Sequence, residues 1–150
     1  MMKDIVRILQ DVAEDKGLVY HYGKKSTLNL LDGTPDANSI FFLHEFTNRK
    51  SEYNDSGTKI VAVNCEGKFF LVKHSDYDSH FFAERGEEQS GKYAMNIEPL
   101  LAVFEDIGNS LSCMELSITQ WDNLDVTDAL DANMDGLLCT YKVSIPAGHE

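Results

Sequence analysis

The sequence predicts an α+β domain, in which a mixed or antiparallel β-sheet carries two main helices packed on it. Two stretches place apolar residues at helical spacing. Several short apolar runs rich in Val, Ile and Phe are bounded by Gly, Asn and Asp, which is the pattern of strands and turns. The last third of the chain orders these signals as a capped helix followed by two long strands. The whole order is helix, three or four strands, helix, two strands, written α-β-β-β-β-α-β-β when every run counts as its own strand. Helices covering a sheet satisfy that order economically. With 150 residues, the chain fits one domain spanning 1–150 and can bury a sizeable core.

Ile5, Ile8, Leu9 and Val12 form one apolar helical face. Asp4 suits the positive end of this helix, Lys16 suits the negative end, and Gly17 can close it. Leu18 to Tyr22 reads as a short strand. Gly23 to Asn38 is a polar loop, with Asp32-Gly33 and Pro35 as turn signals. A strand begins at Ile40-Phe41-Phe42-Leu43 and continues through His44, Glu45 and Phe46. Arg49 to Thr58 is polar and reads as a mobile loop. Lys59 to Asn64 and Lys68 to His74 predict a hairpin turning at Cys65-Glu66-Gly67. Its runs Ile60-Val61-Ala62-Val63 and Phe69-Phe70-Leu71-Val72 have the composition of central strands. Ser75 to Lys92 is a long charged excursion, expected to be mobile or projecting.

The second helix is predicted from Asn96 to Ser110. Asn96 is its cap, and Pro99 stands in the first turn, where proline is tolerated. Ile97, Leu100, Leu101, Phe104 and Ile107 are its buried face, and Gly108-Asn109 is its stop. Cys113 to Val126 and Leu137 to Ile145 read as strands. Asn133-Met134-Asp135-Gly136 is the turn before the last one. Trp121 falls within the strand pattern, as a core or interface residue.

Charge excludes some function classes. The net charge is −12, from 25 acidic and 13 basic side chains. Wrapping nucleic acid requires clustered Lys and Arg, and an anionic membrane repels an acidic surface, so neither is an expected partner. No segment is long and apolar enough to span a bilayer, and no secretory signal core is present. Cys65, Cys113 and Cys139 are odd in number, widely spaced and set among apolar neighbours. They read as reduced, mostly buried thiols, with no Cys-x-x-Cys pair for zinc or redox chemistry.

Several motifs come close to a chemistry and miss it. Asp131, Asn133, Asp135 and Gly136 match the opening of an EF-hand loop, but Lys142 stands where a bidentate Glu is required. Gly86, Gly91 and Lys92 have P-loop spacing, but Tyr93 replaces the magnesium-binding hydroxyl residue, and Glu87 and Glu88 would sit in the phosphate cradle. Asp122, Asp125, Asp128, Asp131 and Asp135 read as a solvated acidic rim. His74, Asp76, Asp78 and His80 alternate, so a continuing strand would align four metal-binding side chains on one face. The turn-rich stretch Ser75 to Ser79 argues for a solvated loop instead. No cofactor, metal or catalytic group is expected. Phe81 and Phe82, flanked by Glu84 and Arg85, are an apolar pair in a charged arm. They are candidate contacts for a neighbouring subunit, or they fold back and bury both rings.

This organisation resembles the small tail-terminator and tail-completion proteins of long-tailed bacteriophages. The pieces that carry the resemblance are Lys3–Lys16, Ile40–His74 with Ser75–Lys92 as a projection, Asn96–Ser110, and Cys113–Ile145. The closing run Asn133-Met134-Asp135-Gly136-Leu137-Leu138 before an alternating strand is also similar. The resemblance implies a structural virion protein and no enzyme. Copies would form a ring, commonly a hexamer, at the head-proximal end of the tail, contacting tail-tube and head-connector proteins. It implies the virion as location, and the host cytoplasm during assembly. Two other classes stand beside it: a small acidic inhibitor that binds one basic partner, and a metal-dependent enzyme using His74, Asp76, Asp78 and His80. Elemental analysis of the purified protein separates the last. The assembly and inhibitor readings expect no stoichiometric metal, whereas the enzyme requires it, with loss in His74→Ala.

Overall fold

The computed structural model describes residues 4–23, 39–74, 96–129 and 134–147. In chain order it contains α1 (Ile5–Asp15), β1 (Val19–Tyr22), β2 (Phe41–Tyr53), β3 (Ile60–His74), α2 (Glu98–Cys113), β4 (Ser117–Ala129) and β5 (Met134–Pro146). The class and the order helix, strands, helix, two strands are as expected.

Helix α1 follows its predicted face, burying Ile5, Ile8, Leu9, Val12 and Ala13. The Asp4 carboxylate accepts from the Val6 amide at 3.2 Å, satisfying one of the free amides of the first turn. At the other end Gly17 adopts a φ of 79°, a conformation that costs glycine little. The chain then enters β1.

The five strands form one mixed sheet in the order β1-β2-β3-β5-β4. The pair β1–β2 is parallel, and β2–β3, β3–β5 and β5–β4 are antiparallel. The hairpin expected at Cys65-Glu66-Gly67 does not exist. Residues 60–74 are one strand, paired on both sides, and Gly67 lies in its middle opposite Thr47 and Tyr141. A Cβ there would collide with the Phe46 carbonyl and would lie 2.7 Å from the Tyr141 hydroxyl. This glycine therefore marks a close approach inside the sheet and not a turn. The hairpin turn lies earlier, at Asn54 to Lys59, and the stretch Arg49 to Tyr53 expected as a loop is the second half of β2. Its polar side chains are compatible with a strand because both faces are exposed there.

Alternation along the strands creates two apolar surfaces. Phe42, Phe69, Leu71, Leu137, Cys139, Tyr141, Val143 and Ile145 join the buried faces of α1 and α2 in the main core. Phe41, Leu43, Phe70 and Val72 form a second buried cluster on the opposite face, with Val126 and Leu138 against it. Burial on both faces explains why Phe41–Leu43 and Phe69–Val72 are continuous apolar runs.

Helix α2 departs from the expected bounds at both ends. Its N-cap is Ile97, with no side-chain cap, and Pro99 sits in the first turn. Asn96 instead donates its side-chain amide to the Asp135 carboxylate at 3.2 Å. The helix does not stop at Gly108-Asn109. Gly108 is buried inside it, and a Cβ there would lie 2.7 Å from the Trp121 indole nitrogen. That nitrogen donates to the Phe104 carbonyl at 3.1 Å, and the Trp121 ring stacks on Phe104 at 5.0 Å. The helix ends at Cys113, followed by Glu115 with a φ of 63°. Met134-Asp135-Gly136, expected as a turn, opens β5, and Asp135 is fully buried rather than part of a solvated rim. Gly136 is required there because a Cβ would strike the Leu71 carbonyl.

Gly67→Ala should therefore destabilise the protein by about 2 kcal/mol, in the range of forced overpacking. Urea denaturation read by Trp121 fluorescence measures it, with Gly57→Ala at the exposed hairpin turn as a comparison for a purely backbone effect.

Candidate functional site

The most organised polar group in the structure is built around His44. This residue ends the apolar run of β2 and faces the helices. It pairs with Tyr22 on β1 and Phe69 on β3 in the sheet register. Its Nδ1 lies 2.7 Å from the Tyr20 hydroxyl, and its Nε2 lies 2.7 Å from the Tyr141 hydroxyl. Tyr20 also donates to the Val6 carbonyl of α1 at 3.4 Å. A neutral imidazole donates at one nitrogen and accepts at the other. With the Tyr20 proton directed at Val6, the partners assign Nδ1–H toward Tyr20 and a Tyr141 hydroxyl that donates to Nε2. One side chain thereby ties together α1, β1, β2 and β5.

Burial sets the electrostatics. The His44 ring is 0% exposed. Desolvation, aided by the nearby Arg49 charge, brings its pKa down to about 4. It is a neutral ring at physiological pH. Burial pushes the Tyr20 and Tyr141 hydroxyls well above the ordinary phenol value. The Cys65 thiol is raised to about 11, and Cys139 is raised well above its usual value, again mainly by desolvation. Neither is a thiolate nucleophile. At the rim, Arg49 donates from Nε and Nη2 to the two carboxylate oxygens of Asp4, each at 2.7 Å. That hydrogen bond is the first cause holding the Asp4 carboxyl below its usual range. The pair is half-exposed, so its contribution to stability is small. It links the start of α1 to β2.

This arrangement is a clamp rather than a reaction centre. Both imidazole nitrogens are committed, and the His44 ring has no exposed face for a substrate. Tyr20 borders a surface hollow lined by Asp4, Arg7, Gln10, His21, Tyr22 and Arg49, and the buried Tyr141 lies beside another, with Phe46, Asn48 and Lys142. A second concavity of about 470 Å³ lies on the sheet face away from the helices, lined by Asn48, Lys50, Asn64, Glu66, Thr119, Lys142 and Ser144 among others. Lys142 and Glu66 stand 3.9 Å apart across it, both half-exposed. This face offers solvated polar contacts and no buried acid–base pair.

The residues singled out from the sequence fall mostly elsewhere. Phe81, Phe82, Glu84 and Arg85 lie outside the described residues, as do Asp76, Asp78, His80, Asp131, Asn133 and the P-loop-like run. His74 is the last residue of β3. Among the described residues, no group of three or more His, Cys, Asp or Glu is placed to hold a metal ion. Cys65 and Cys139 are buried and Cys113 is exposed, all as free thiols. Sequence reading missed the clamp, because Tyr20, His44 and Tyr141 are far apart in the chain. The one local signal was a histidine directly continuing an apolar strand.

No protein-family model matches this chain, and no curated protein matches its sequence.

The clamp has a consequence for acid stability. The folded pKa of His44 lies below its unfolded value, so the unfolded state binds the proton first as pH falls. The contribution is fully present above about pH 6.5 and is lost as pH falls toward 4. A drop of about 3 kcal/mol over this window is expected from urea denaturation at successive pH values. His44→Gln should be less stable at pH 7 and should lose most of that slope. An unchanged slope in the variant would assign the pH dependence to other groups.

Proposed function

We propose that this protein is a structural assembly subunit, forming a ring at the head-proximal end of a phage tail that ends tube growth and joins tail to head. The observation that supports this best is the long β2–β3 hairpin. Strands of 13 and 15 residues are more than twice the usual length, and roughly 3.3 Å per residue makes β2 about 40 Å long. Its end, Tyr53 to Ile60, lies past the last residues paired with β5, where Ala62 meets Pro146 and the Val61 carbonyl accepts from the Ala147 amide. Its turn is held by Asn54, whose Oδ1 accepts from the Thr58 amide at 2.9 Å and whose own amide donates to the Lys59 carbonyl at 2.9 Å. Tyr53 and Val61 are exposed apolar residues on this arm. A stiff hairpin end with exposed apolar side chains suits contact with a neighbouring subunit.

The sealed His44 clamp fits the same reading, since it contributes rigidity and offers no reactive group. A charge of −12 keeps monomers dispersed and gives a ring an acidic lumen that DNA passes without adhering. Phe81 and Phe82, with Glu84 and Arg85, remain candidate contacts in this assembly. The same charge favours a second reading, an acidic inhibitor that binds one basic protein as a monomer.

Light scattering over a concentration series, at low and moderate salt, tests the two. A discrete ring, or a monomer that passes to one as concentration rises, is the expected result. A strict monomer at every concentration overturns self-assembly in favour of the inhibitor. Phe81→Ser with Phe82→Ser should weaken assembly several-fold and leave the circular dichroism spectrum unchanged, and normal assembly would remove those rings from the contact.

A further inference from the structure

β1 lies at one edge of the sheet and, among the described residues, is paired with β2 alone. The Val19 amide donates to Ile40 and the Gly23 amide to His44. Alternation along the strand therefore turns the amides and carbonyls of Tyr20 and Tyr22 away from β2, toward the open edge. The side chains of these two residues turn to the helix side. There the Tyr20 hydroxyl meets the Val6 carbonyl, and the Tyr22 ring stands edge-on to His44 at 5.1 Å. Val19 faces the other way, since its partner Phe41 belongs to the cluster opposite the helices. Such an edge is a template on which an extended chain can add as a further strand.

A hollow of about 580 Å³ opens beside this edge, between Tyr20 and Tyr22 of β1 and the flank of α1. Its basic groups are Arg7 and Arg49, and its one carboxylate is Asp4. Arg49 and Asp4 bind each other through two hydrogen bonds, so their charges cancel. Arg7 is left as the net charge. Its Nη1 donates to the Gln10 side-chain oxygen at 2.8 Å, and Gln10 in turn donates to Glu14 at 3.2 Å. The guanidinium is thus oriented by a neutral amide. Among the described residues Arg7 has no carboxylate partner, which leaves the other N–H groups of its fork for a ligand. This positive site stands on a chain of net charge −12.

We propose that the β1 edge and this hollow form one docking site, whose occupant is an extended segment of a partner protein carrying an acidic side chain. Pairing with Tyr20 and Tyr22 supplies the ladder, and a carboxylate on the helix-facing side of the added strand reaches Arg7. Neither contribution suffices alone. A small anion at an exposed guanidinium is held weakly, and a bare edge accepts strands without selecting among them. Together they select by charge. An acidic side chain meets Arg7 in a charge-assisted pair, whereas a basic one meets like charge. Side chains of the added strand alternate. Acidic residues two apart therefore face the hollow, and the residues between them lie on the face of Val19, which is apolar and 36% exposed. The site goes beyond the ring reading and stands whether or not copies of this chain assemble.

The probe is the acetylated and amidated heptapeptide Thr-Val-Glu-Val-Glu-Val-Thr, titrated into the isotope-labelled full chain and followed by amide chemical shifts. The Tyr20 and Tyr22 amides should move together with the Arg7 side-chain signal and saturate at millimolar peptide or below. The same peptide with Gln in place of both Glu should bind at least fivefold more weakly. Arg7→Gln, at an exposed position and checked for folding by circular dichroism, should reduce that preference to less than twofold. Lys142→Gln, on the face away from the helices, should leave it intact. Unmoved Tyr20 and Tyr22 amides at several millimolar peptide overturn the proposal, as does equal binding of the Gln peptide or an undiminished preference in Arg7→Gln. Acetate that reproduces the shifts would make the hollow a small-anion site. Movement of the same amides on raising the protein concentration alone would make the occupant a second copy. Either result overturns the assignment to an acidic partner segment.

Discussion

The unbroken pairing of Ile60–His74 on both of its sides is the constraint on which the rest depends. It sets the register of β2 and β5 at once, so that Leu43 meets Phe70, His44 meets Phe69, and Tyr141 meets Gly67. Only in that register do Tyr20 and Tyr141 reach the two nitrogens of His44. A slip by one residue would turn every side chain to the other face and expose the core. The bare Cα of Gly67 makes the register possible, since Phe46 and Tyr141 crowd that position.

Two kinds of force divide the labour from there. Apolar burial holds the helices to one face of the sheet. Trp121 lying over Gly108, with its indole nitrogen on the Phe104 carbonyl, fastens α2 at the far side. Hydrogen bonding holds the N-terminal unit, through Tyr20, His44 and the Asp4–Arg49 pair. A buried polar chain of this kind is costly when half-made and rigid when complete. Here both imidazole nitrogens have partners, so it specifies one seating of β1 and α1 rather than a range. The result is a rigid body in which the N-terminal unit and α2 are each fastened to the same face of the sheet.

Local signals were read correctly where the physics is local. The apolar spacing of Ile5, Ile8, Leu9 and Val12, the cap at Asp4 and the glycine after Lys16 gave α1 within a residue or two. The same rules misled wherever a glycine or asparagine served a tertiary purpose. Gly67, Gly108 and Gly136 look like breaks in the chain, yet each is a place where a neighbouring backbone or ring comes too close for a Cβ. Asn96 looks like a cap, yet its amide serves Asp135. Arg49 to Tyr53 looks like a loop because polar residues on both sides of a strand carry no alternation to detect. Of the clamp only a histidine continuing an apolar run was legible, since nothing in the sequence around Tyr20 or Tyr141 indicates a histidine between them.

By itself the sequence determined the α+β class, the approximate place of each helix, the apolar runs of the sheet and the acid excess of the chain. Those follow from periodicity, composition and charge, which are properties of neighbours in the chain. Only the tertiary structure decided that residues 60–74 are one strand, that Gly108 is inside a helix, which strands form the edges, and that His44 is gripped from both sides. These depend on which distant segments lie side by side, and the pairing of distant segments is settled by the collective burial of the whole core.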